Sequence, residues 1–446
     1  PLAGLPIGKR SALLLDKENM TKYSISPMSS LYELYLRHPR ISTDSRRIEP
    51  DSVFFALRGA SFDGNRFAAD ALEKGAAYAV VDDPSLPNTR PDKADRLIVV
   101  DDALQTLQTL AREHRRELGL PILAITGSNG KTTTKELVSR VLAEKYEVYA
   151  TRGNLNNHIG VPLTLLAMTR DVEFGIVEMG ASACGEIALL CSIAEPNYGI
   201  VTNIGRAHLE GFGGPEGVRR GKGELYDWLA RTGGRVFVPA NDPVLMSMAA
   251  ERETLAAECY PTTLADGVEH HLEGDYNRFN VAAAVAVGRY FGVDDERIRY
   301  AVGSYRPDNH RSQKIRTGQN TLILDCYNAN PSSMQASLVN FRQEPLESCT
   351  RKILILGDML ELGDWSDAEH RHIISLAAEI PDARILLVGP HFAKAYRSLE
   401  SRPADTTLYP SQEALAAELR KHPVSQALIL VKGSHSIGLE RLADLL

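Results

Sequence analysis

A glycine loop between a predicted strand and a predicted helix constrains this chain more than any other stretch of its sequence. Residues 121–134 read PILAITGSNGKTTT. The apolar run at 121–126 predicts a buried strand, and apolar residues at helical spacing beyond Thr132 predict a helix that begins near that residue. A strand, a glycine loop and a helix in this order are typical of a phosphate-binding loop.

The residue types within the loop suit an anionic ligand. Gly127 and Gly130 allow the backbone to approach phosphate closely, and the helix N-terminus directs its N–H groups toward it. Lys131 adds a positive charge, and the hydroxyl of Thr132 can bind Mg²⁺. The spacing is GxxGKT, because Ile125 stands where the longer GxxxxGK[ST] motif has glycine. The loop predicts nucleotide binding; the alternative is a glycine turn with a chance lysine.

Size and charge narrow the remaining choices. The chain has 446 residues, of which 43% are hydrophobic, and this is typical of a globular protein with about three domains. The net charge of −7 and the absence of long basic runs disfavour nucleic-acid binding. The five cysteines form no CxxC pair, as expected of reduced thiols in a cytoplasmic protein. We expect no membrane insertion and no signal peptide, and the residues before Met20 read as an extension.

The order of strands and helices predicts an α/β fold with three domains. A small α/β domain is expected over 20–119, a central parallel-sheet ATPase domain of the P-loop type over 120–305, and a Rossmann-like doubly wound domain over 306–446. The predicted strands and helices alternate in all three. The strands are 51–57, 77–83, 96–102, 121–126, 173–180, 197–205, 236–242, 321–327, 352–358, 383–389 and 426–433; the helices include 66–75, 103–118, 216–230 and 277–292.

Three residues of the central part combine reactive chemistry with a suggestive position. Glu178 ends an apolar strand, where a carboxylate needs a cation, and a solvated turn is the alternative. His208 follows another strand end and could bind a metal, although a hydrogen-bonded surface histidine is the commoner case. Lys222 lies between two glycines of a helix, which indicates close approach by another group, and a solvated helix face is the alternative.

Polar residues later in the chain also gather near strand and helix ends. Asn277 and Asn280 share one helix face, where their amides suit the edge of a purine, unless Asn277 caps the helix. Asp325 ends a strand before the loop 327–331, and Lys432 ends the last strand. Because the ends of parallel strands face one edge of a sheet, these residues predict a composite cleft between the second and third domains.

Several motifs in fixed order resemble the Mur ligase family, over about residues 41–446. Within the family, the motifs at 327–334, 357–363 and 431–440 resemble those of the branch that adds D-alanyl-D-alanine. The motifs that carry the resemblance are GSNGKTT (127–133), NLNNHIGVP (154–162), EMGA (178–181), NIGRAHLEGF (203–212), YNANPSSM (327–334), GDMLELG (357–363) and VKGSHSIGLE (431–440).

The resemblance implies an ATP site and two Mg²⁺ ions in the central domain. Lys131, Glu178, His208 and Lys222 would be catalytic, with Lys222 carbamoylated so that it offers anionic oxygen. The metal ligands would be Thr132 and Glu178 for one ion, and His208 and Lys222 for the other. ATP would contact Gly127, Ser128, Asn129, Gly130, Lys131, Thr132, Thr133, Asn277, Asn280, Arg311 and Asp325.

The resemblance also implies the substrates and the reaction. The tripeptide carboxylate of UDP-N-acetylmuramoyl-tripeptide would attack ATP to give an acyl phosphate and ADP, and the amine of D-Ala-D-Ala would then displace phosphate. A monomer is expected. Asn65 and Tyr276 depart from the family pattern, since histidine often stands at both positions. The substrates would contact Ser45, Arg46, Asp63, Gly64, Asn154, Asn157, Tyr327 and Asn328.

Other functions remain possible on the residues alone. The polar clusters at 43–47 and 63–65 are rich in turn formers, so turn chemistry explains them without a ligand. A ligase that adds a single amino acid, or a folylpolyglutamate-type synthetase, is the nearest alternative within the resemblance. A nucleotide-gated switch is the alternative from another class, and it would explain 127–133 but not three domains that meet at one cleft. The sequence leaves open whether the tripeptide ends in diaminopimelate or lysine.

Overall fold

A four-stranded parallel sheet forms the first part of the computed structural model, which describes residues 27–272, 274–306 and 313–446. Its strand order is β1-β2-β3-β4. The strands are β1 (Ile41–Ser42), β2 (Val53–Phe55), β3 (Tyr78–Val81) and β4 (Leu97–Val99), and the helices are α1 (Pro27–Arg37), α2 (Ala68–Glu73), α3 (Leu86–Thr89) and α4 (Ala103–Leu118).

Helix α4 joins this first sheet to the next part of the chain, and it has the bounds that the sequence predicts. Asp102 caps its start by accepting a hydrogen bond from the backbone of Gln105 at 2.8 Å. Gly119 ends it in the left-handed region, at φ 63°. The apolar face that includes Leu107 and Leu110 is fully buried.

The central sheet has six parallel strands in the order β10-β9-β8-β5-β7-β6. Strand β5 lies between β7 and β8, so the chain leaves it in the middle of the sheet, where ligands bind in open α/β folds. The strands are β5 (Ile122–Thr126), β6 (Val148–Ala150), β7 (Phe174–Glu178), β8 (Tyr198–Val201), β9 (Arg235–Pro239) and β10 (Ala256–Tyr260). The helices are α5 (Lys131–Ala143), α6 (Gly160–Leu166), α7 (Glu186–Ala194), α8 (Leu209–Phe212), α9 (Pro215–Thr232), α10 (Pro243–Ala250), α11 (Asn277–Tyr290) and α12 (Asp295–Ser304).

The third sheet is mixed, with the order β11-β12-β16-β13-β14-β15. Its first strand pairs antiparallel with β12, and the remaining neighbours are parallel. The strands are β11 (Gln313–Arg316), β12 (Thr321–Asp325), β13 (Arg351–Gly357), β14 (Ala383–Val388), β15 (Thr406–Tyr409) and β16 (Ala427–Lys432). The helices are α13 (Pro331–Gln343), α14 (Ser366–Ala378), α15 (Pro390–Arg397) and α16 (Gln412–Lys421).

The three-part α/β architecture and the largely parallel pairing that the sequence predicts are confirmed. The strands that the sequence analysis did not find are β1, β6, β10, β11 and β15, and each of them is an edge strand of its sheet. Edge strands are covered on one side only, so they need no continuous apolar run, and segments such as QKIR and TTLY are only half-buried. Within the described ranges, no helix has both the length and the apolar character needed to cross a membrane.

Candidate active site

The phosphate loop has the geometry that the sequence predicts. It leaves β5 after Thr126, and α5 begins at Lys131, one residue before the predicted start. Gly127 has φ 137° and Gly130 has φ 80°, a region that favours glycine. A Cβ at Gly130 would lie 2.7 Å from Oδ1 of Asn280. The N–H groups of the first turn of α5 have no partner within the helix, so they are suited to an anion.

Polar residues after β8 support the loop from the side. Oγ1 of Thr202 donates to the carbonyl of Asn129 at 2.5 Å. Asn203 accepts from the backbone N–H of Asn129 at 3.1 Å and donates to its carbonyl at 2.9 Å. Nζ of Lys131 lies over the loop and donates to the carbonyl of Gly127 at 2.8 Å. The sequence analysis gave no role to Thr202 and Asn203, although they follow a strand end as the predicted site residues do.

Thr132 and Glu178 meet in a buried position at the ends of α5 and β7. Oγ1 of Thr132 donates to Oε2 of Glu178 at 3.0 Å, and the glutamate is 2% exposed. Nδ2 of Asn156 donates to the other carboxylate oxygen at 2.9 Å. The structure therefore brings together the hydroxyl and the carboxylate that were predicted to share a metal ion, and it adds Asn156, which the prediction missed.

A buried lysine one turn after the loop partly balances the charge of Glu178. Nζ of Lys135 lies 4.0 Å from Oε2 of Glu178 and 2.9 Å from Glu136. It donates to the carbonyl of Thr151 at 2.6 Å, and the side chain is 2% exposed. A buried carboxylate needs such compensation, and the solvated turn that the sequence left open for Glu178 is not observed.

His208 lies in the left-handed backbone region, at φ 52°, immediately before α8. This conformation is uncommon for a residue other than glycine, and it occurs at functional sites more often than elsewhere. Its Nδ1 donates to Oε2 of Glu361, which belongs to the third sheet region. Burial lowers the pKa of His208 below its ordinary value, and the carboxylate of Glu361 opposes that effect.

Lys222 is fully buried in α9, at 1% exposure, so the solvated helix face is not observed. Nζ donates to the carbonyl of Ala181 at 3.1 Å and lies 5.2 Å from the ring centre of Phe212. Burial lowers the pKa of Lys222 to about 7, and the charge of Lys131 acts in the same direction. The glycines on either side allow close approach: a Cβ at Gly221 would clash with the ring of Phe212.

Asn277 and Asn280 begin α11 and are both buried. Nδ2 of Asn280 donates to Oδ1 of Asn277 at 2.8 Å, and Oδ1 of Asn280 accepts from Thr134 at 3.0 Å. Tyr276 occupies the cap position, so capping by Asn277, the alternative left open by the sequence, is not observed. The amide of Asn280 also packs against Gly130 and thereby joins α11 to the phosphate loop.

The third sheet contributes a second polar group opposite the loop. Oδ2 of Asp325 accepts from Nζ of Lys432 at 2.6 Å and from Ser337 at 2.8 Å. Nδ2 of Asn330 donates to Oδ1 of Asn129 at 2.8 Å, so the third part of the chain contacts the phosphate loop directly. The ends of β12 and β16 thus face the ends of β5 and β7, as the strand-end rule predicts.

A cavity of about 840 Å³ lies between the central and third sheets. It is large enough for a nucleotide, because small-molecule sites usually measure about 300–1,000 Å³. The predicted residues that line it are Ser128, Asn129, Gly130, Lys131, Thr132, Thr133, Asn157, Glu178, His208, Asn277, Asn280, Asp325, Tyr327 and Asn328.

Some predicted site residues lie apart from the cavity lining. Gly127 and Lys222 are buried behind it, and Asn154 is exposed outside it. Arg311 lies outside the residues that the structure describes. The remaining four belong to the first sheet region and are also absent from the described lining: Ser45, Arg46, Asp63 and Gly64.

The polar clusters of the first region form the turns that the sequence left open as an alternative. Asp44 accepts from the backbone and side chain of Arg46, at 3.0 and 2.8 Å. Asp63 accepts from the backbone of Asn65 at 3.0 Å, and Asn65 bridges to Asp82 at 2.7 Å. Gly64 is required there, because a Cβ would clash with the carbonyl of Leu57. These turns leave the predicted substrate contacts untested.

The donor atoms at this site suit Mg²⁺ when substrate oxygens complete the set. Among the described residues, no group of three or more His, Cys, Asp or Glu side chains could hold a metal ion. Thr132 and Glu178 supply a hydroxyl and a carboxylate, the oxygen ligands that Mg²⁺ takes together with substrate phosphates. His208 and Lys222 fit a second ion only if Lys222 carries an added anionic oxygen, because the ammonium form of the lysine repels a cation.

Three domain families match the chain in order. They are described as the Mur ligase family catalytic domain over residues 39–115, the Mur ligase middle domain over 125–263 and the Mur ligase glutamate ligase domain over 310–435. Together these segments span most of the sequence, including the phosphate loop and both sides of the cavity.

Relatives of known name agree with these matches over nearly the whole chain. The UDP-N-acetylmuramoyl-tripeptide--D-alanyl-D-alanine ligase of Bacillus subtilis is 34% identical over 90% of this chain and 92% of its own length. MurF of Acinetobacter baumannii has a TM-score of 0.80 at 30% identity and covers 91% of this chain and 93% of its own. MurF ligase of Thermotoga maritima, solved with ADP, has a TM-score of 0.77 at 25% identity, with 92% and 97% covered. The chain therefore belongs to the Mur ligase family.

Proposed function

We propose that this chain is an ATP-dependent ligase that joins D-alanyl-D-alanine to UDP-N-acetylmuramoyl-tripeptide and releases ADP and phosphate. The name of the B. subtilis relative supports these substrates, because the similarity extends over 90% of the chain. The observation that carries the proposal is a cavity lined both by the phosphate loop and by residues of the third sheet. A ligase needs such a composite site, since nucleotide and acyl group must react in one enclosed space.

The nucleotide would bind with its phosphates on the loop at 127–133. Two facts support this placement: the loop presents a helix N-terminus and Lys131 to the cavity, and the T. maritima relative was solved with ADP. Asn277 and Asn280 line the same cavity and would meet the adenine, while Asp325 from the opposite side would meet the ribose. Arg311 would contact phosphate.

Thr132 and Glu178 would hold one Mg²⁺ beside the phosphates. When bound, this ion neutralises phosphate charge and so favours attack by an anion. The fit rests on the buried pair of oxygen atoms 3.0 Å apart, with Lys135 nearby as a compensating cation. His208 and a carbamoylated Lys222 would hold a second ion.

Carbamoylation of Lys222 is supported by the chemistry of its surroundings. A lysine reacts with carbon dioxide only as the neutral amine, and with its pKa lowered to about 7 a large fraction of Lys222 is neutral at physiological pH. The product is an anion, and the positive charge of Lys131 nearby would then attract it instead of repelling it.

The reaction would run in two steps at this site. An oxygen of the tripeptide carboxylate attacks the γ-phosphorus, the bond to the β–γ bridging oxygen breaks, and ADP leaves. Lys131 reduces the repulsion between the two anions and stabilises charge on the transferred phosphoryl group. The amine of D-Ala-D-Ala then attacks the acyl carbon, and phosphate leaves with the carboxylate oxygen. Because water would hydrolyse the acyl phosphate, the third sheet region must cover the cavity during both steps.

The first sheet region would hold the UDP-sugar. Its predicted contacts are Ser45, Arg46, Asp63 and Gly64, with Asn154, Asn157, Tyr327 and Asn328 nearer the peptide. The domain limits that we propose are 20–119, 120–305 and 306–446. A monomer that works in the cytoplasm fits this assignment, and both properties stay predictions.

Release of inorganic phosphate tests the proposal when each reactant is omitted in turn. Purified protein with MgATP, UDP-N-acetylmuramoyl-tripeptide and D-Ala-D-Ala should release phosphate only when all three are present. The tripeptide is supplied with either diaminopimelate or lysine at its third position, since the sequence does not choose between them. Release with a single amino acid in place of the dipeptide would indicate another ligase of the family. Release from ATP alone, unchanged by both substrates, would indicate a nucleotide switch.

A further inference from the structure

The loop at 358–362, part of the GDMLELG motif, has no role in the reaction as described so far. It follows β13 and brings Glu361 to the central sheet region. The carboxylate of Glu361 accepts from Nδ1 of His208. The backbone carbonyl of Glu361 accepts from the N–H of Glu210 at 3.2 Å, so main chain and side chain both contact the segment that carries His208. Glu361 itself has φ 60°, an uncommon value outside glycine.

Buried contacts within the third region fix the position of this loop. The N–H of Met359 donates to Nε2 of His370 at 3.1 Å, and Nδ1 of that ring donates to the carbonyl of Ser366 at 2.8 Å. The N–H of Leu360 donates to Oγ of Ser434 at 3.1 Å. Met359 and Leu362 are buried on either side of Glu361. The exposed carboxylate is therefore held by its backbone and not by its own packing.

The contact determines which ring nitrogen of His208 can act as a ligand. Because a carboxylate only accepts hydrogen bonds, Nδ1 of the neutral imidazole must carry the proton. The lone pair is then on Nε2. A metal-binding histidine commonly donates its other ring N–H to a carboxylate, which fixes both the tautomer and the orientation of the ring.

We propose that Glu361 is a positioning residue that holds His208 in the Nδ1–H tautomer and so leaves Nε2 as the ligand atom. Since Glu361 comes from the third region, His208 is ready to bind a cation only when the third region is docked on the central one. This inference rests on the proposed function, because it takes His208 as a ligand of the second ion. It adds a residue from the third region to that site.

Nuclear magnetic resonance of the full-length protein labelled with ¹⁵N-histidine tests the tautomer directly. Long-range ¹H–¹⁵N spectra distinguish a protonated ring nitrogen from an unprotonated one, and the spectrum of His208→Gln identifies the signals of His208 among the 12 histidines. The wild-type protein should show a protonated Nδ1 and an unprotonated Nε2 without nucleotide or metal. Glu361→Ala should lose that preference, and Glu361→Gln should keep it, because the amide oxygen still accepts.

Binding of Mn²⁺ in the presence of ADP, followed by electron paramagnetic resonance, tests the consequence. Loss of such a supporting partner usually weakens metal affinity about 10- to 100-fold, so we expect a weakening of that size in Glu361→Ala. Glu369→Gln is the matched control. Glu369 pairs with Arg206 across the same junction, whereas the carboxylate bonded to His208 is that of Glu361, so this variant should keep the wild-type tautomer and affinity.

Two kinds of result would overturn the inference, one in the tautomer and one in the metal affinity. One is a wild-type His208 with its proton on Nε2, or a Glu361→Ala protein whose tautomer does not change. The other is an equal loss of Mn²⁺ affinity in Glu369→Gln, which would assign the effect to docking in general. Either result can occur while phosphate release still requires all three substrates, so the inference and the proposed function fail separately.

Discussion

The central sheet region meets its two neighbours through different kinds of contact. On the side of the first region, Tyr35 of α1 and His114 of α4 are buried against the last residue of α6 and the segment that follows it. The hydroxyl of Tyr35 donates to the carbonyl of Leu166 at 2.5 Å, and Nε2 of His114 donates to that of Met168 at 2.8 Å. On the side of the third region, amide and charged pairs surround a cavity: Asn129 with Asn330, His208 with Glu361, and Arg206 with Glu369.

This difference suggests that the two contacts of the central region have different roles. Buried side chains that bond to backbone carbonyls hold two regions in one arrangement, because separating them would leave polar groups without partners. In each pair on the side of the third region at least one side chain is exposed or half-exposed, so water can replace its partner more readily and the pair contributes less free energy. We call the contact between the first and central regions the first junction, and the contact between the central and third regions the second junction. We infer that the first junction provides stability and that the second provides the chemistry, together with the opening and closing that substrate exchange requires. The predictions below test this division, from the largest expected effect to the smallest.

Replacing the lysine of the phosphate loop should lower activity, which depends on the second junction, and leave stability unchanged. In Lys131→Ala, turnover should fall about 1,000-fold or more, because the charge that stabilises the transferred phosphoryl group is lost. Thermal unfolding should change little. Phosphate release and a melting curve measure both effects, with Lys421→Ala, an exposed lysine of α16, as the matched control. Ligation at the wild-type rate by Lys131→Ala would exclude the phosphate-loop assignment.

Removing the buried lysine of α9 should also abolish most activity. We expect turnover of Lys222→Ala to fall about 100- to 1,000-fold, the cost typical of losing one catalytic electrostatic group. Formate or acetate should restore part of the rate, since a small carboxylate can supply the anionic oxygen that the carbamate would provide. Titration of the rate with formate measures this, and sodium chloride at equal ionic strength is the control. Failure of every short carboxylate would count against the carbamate.

Removing one hydroxyl at the first junction should lower stability and leave activity unchanged. Tyr35→Phe leaves the buried carbonyl of Leu166 without its donor, so the free energy of unfolding should fall by about 1–3 kcal/mol. The value of kcat at 25 °C should stay near that of the wild type. Tyr32→Phe is the matched control on the same helix, because its hydroxyl is half-buried and bonds to the ring of His114 instead of to a buried backbone carbonyl, so its effect should be smaller. Equal stability of both variants and the wild type would contradict a stabilising role for this junction.

Breaking the amide pair across the second junction should lower activity without loss of stability. Asn330→Ser keeps a side chain able to cap α13 but cannot reach Asn129. We expect kcat to fall about 5- to 10-fold, because one hydrogen bond contributes about 1 kcal/mol of net free energy. A double-mutant cycle with Asn129→Ala isolates the pair. Strictly additive effects on kcat would show that the two amides do not act together.

The pH dependence of stability should report on the first junction. Burial lowers the pKa of His114 below its ordinary value of 6.5, while Met168 partly opposes this. The unfolded chain therefore binds a proton more readily than the folded chain, and stability falls as the pH drops below about 6.5. The stability difference between the wild type and His114→Gln should shrink between pH 7.5 and pH 5, as measured by urea denaturation. A difference independent of pH would mean that His114 does not titrate on unfolding.

The sequence predicted the central strands of the sheets and missed most of the edge strands. Central strands such as β5 and β7 are buried along their whole length and apolar up to their last residue because both faces are covered, so their pattern is unambiguous. The five strands that were not found are edge strands, whose half-buried residues show no such pattern. Their positions follow from pairing with a neighbour, which sequence periodicity does not contain.

The candidate active site likewise contains residues that the sequence pattern identifies and residues that only the packing of the sheets identifies. Glu178 and Asp325 could be found because a polar residue at the end of an apolar strand is unusual, and strand ends share one edge of the sheet. Asn203 and Glu361 contribute through partners that are distant in sequence, and Lys135 looks like any charged residue of a helix. No spacing rule identifies such partners, because they depend on how the sheets pack together.

The central claim is that the acyl group is activated by phosphate at the second junction, and isotope transfer tests it most directly. The tripeptide substrate is labelled with ¹⁸O in its terminal carboxylate and incubated with protein, MgATP and D-Ala-D-Ala. Mass spectrometry of the products should find one ¹⁸O in inorganic phosphate and none in ADP, because the carboxylate oxygen leaves with the phosphoryl group. Label in AMP, or phosphate without label, would contradict an acyl phosphate and with it the mechanism proposed for this cavity.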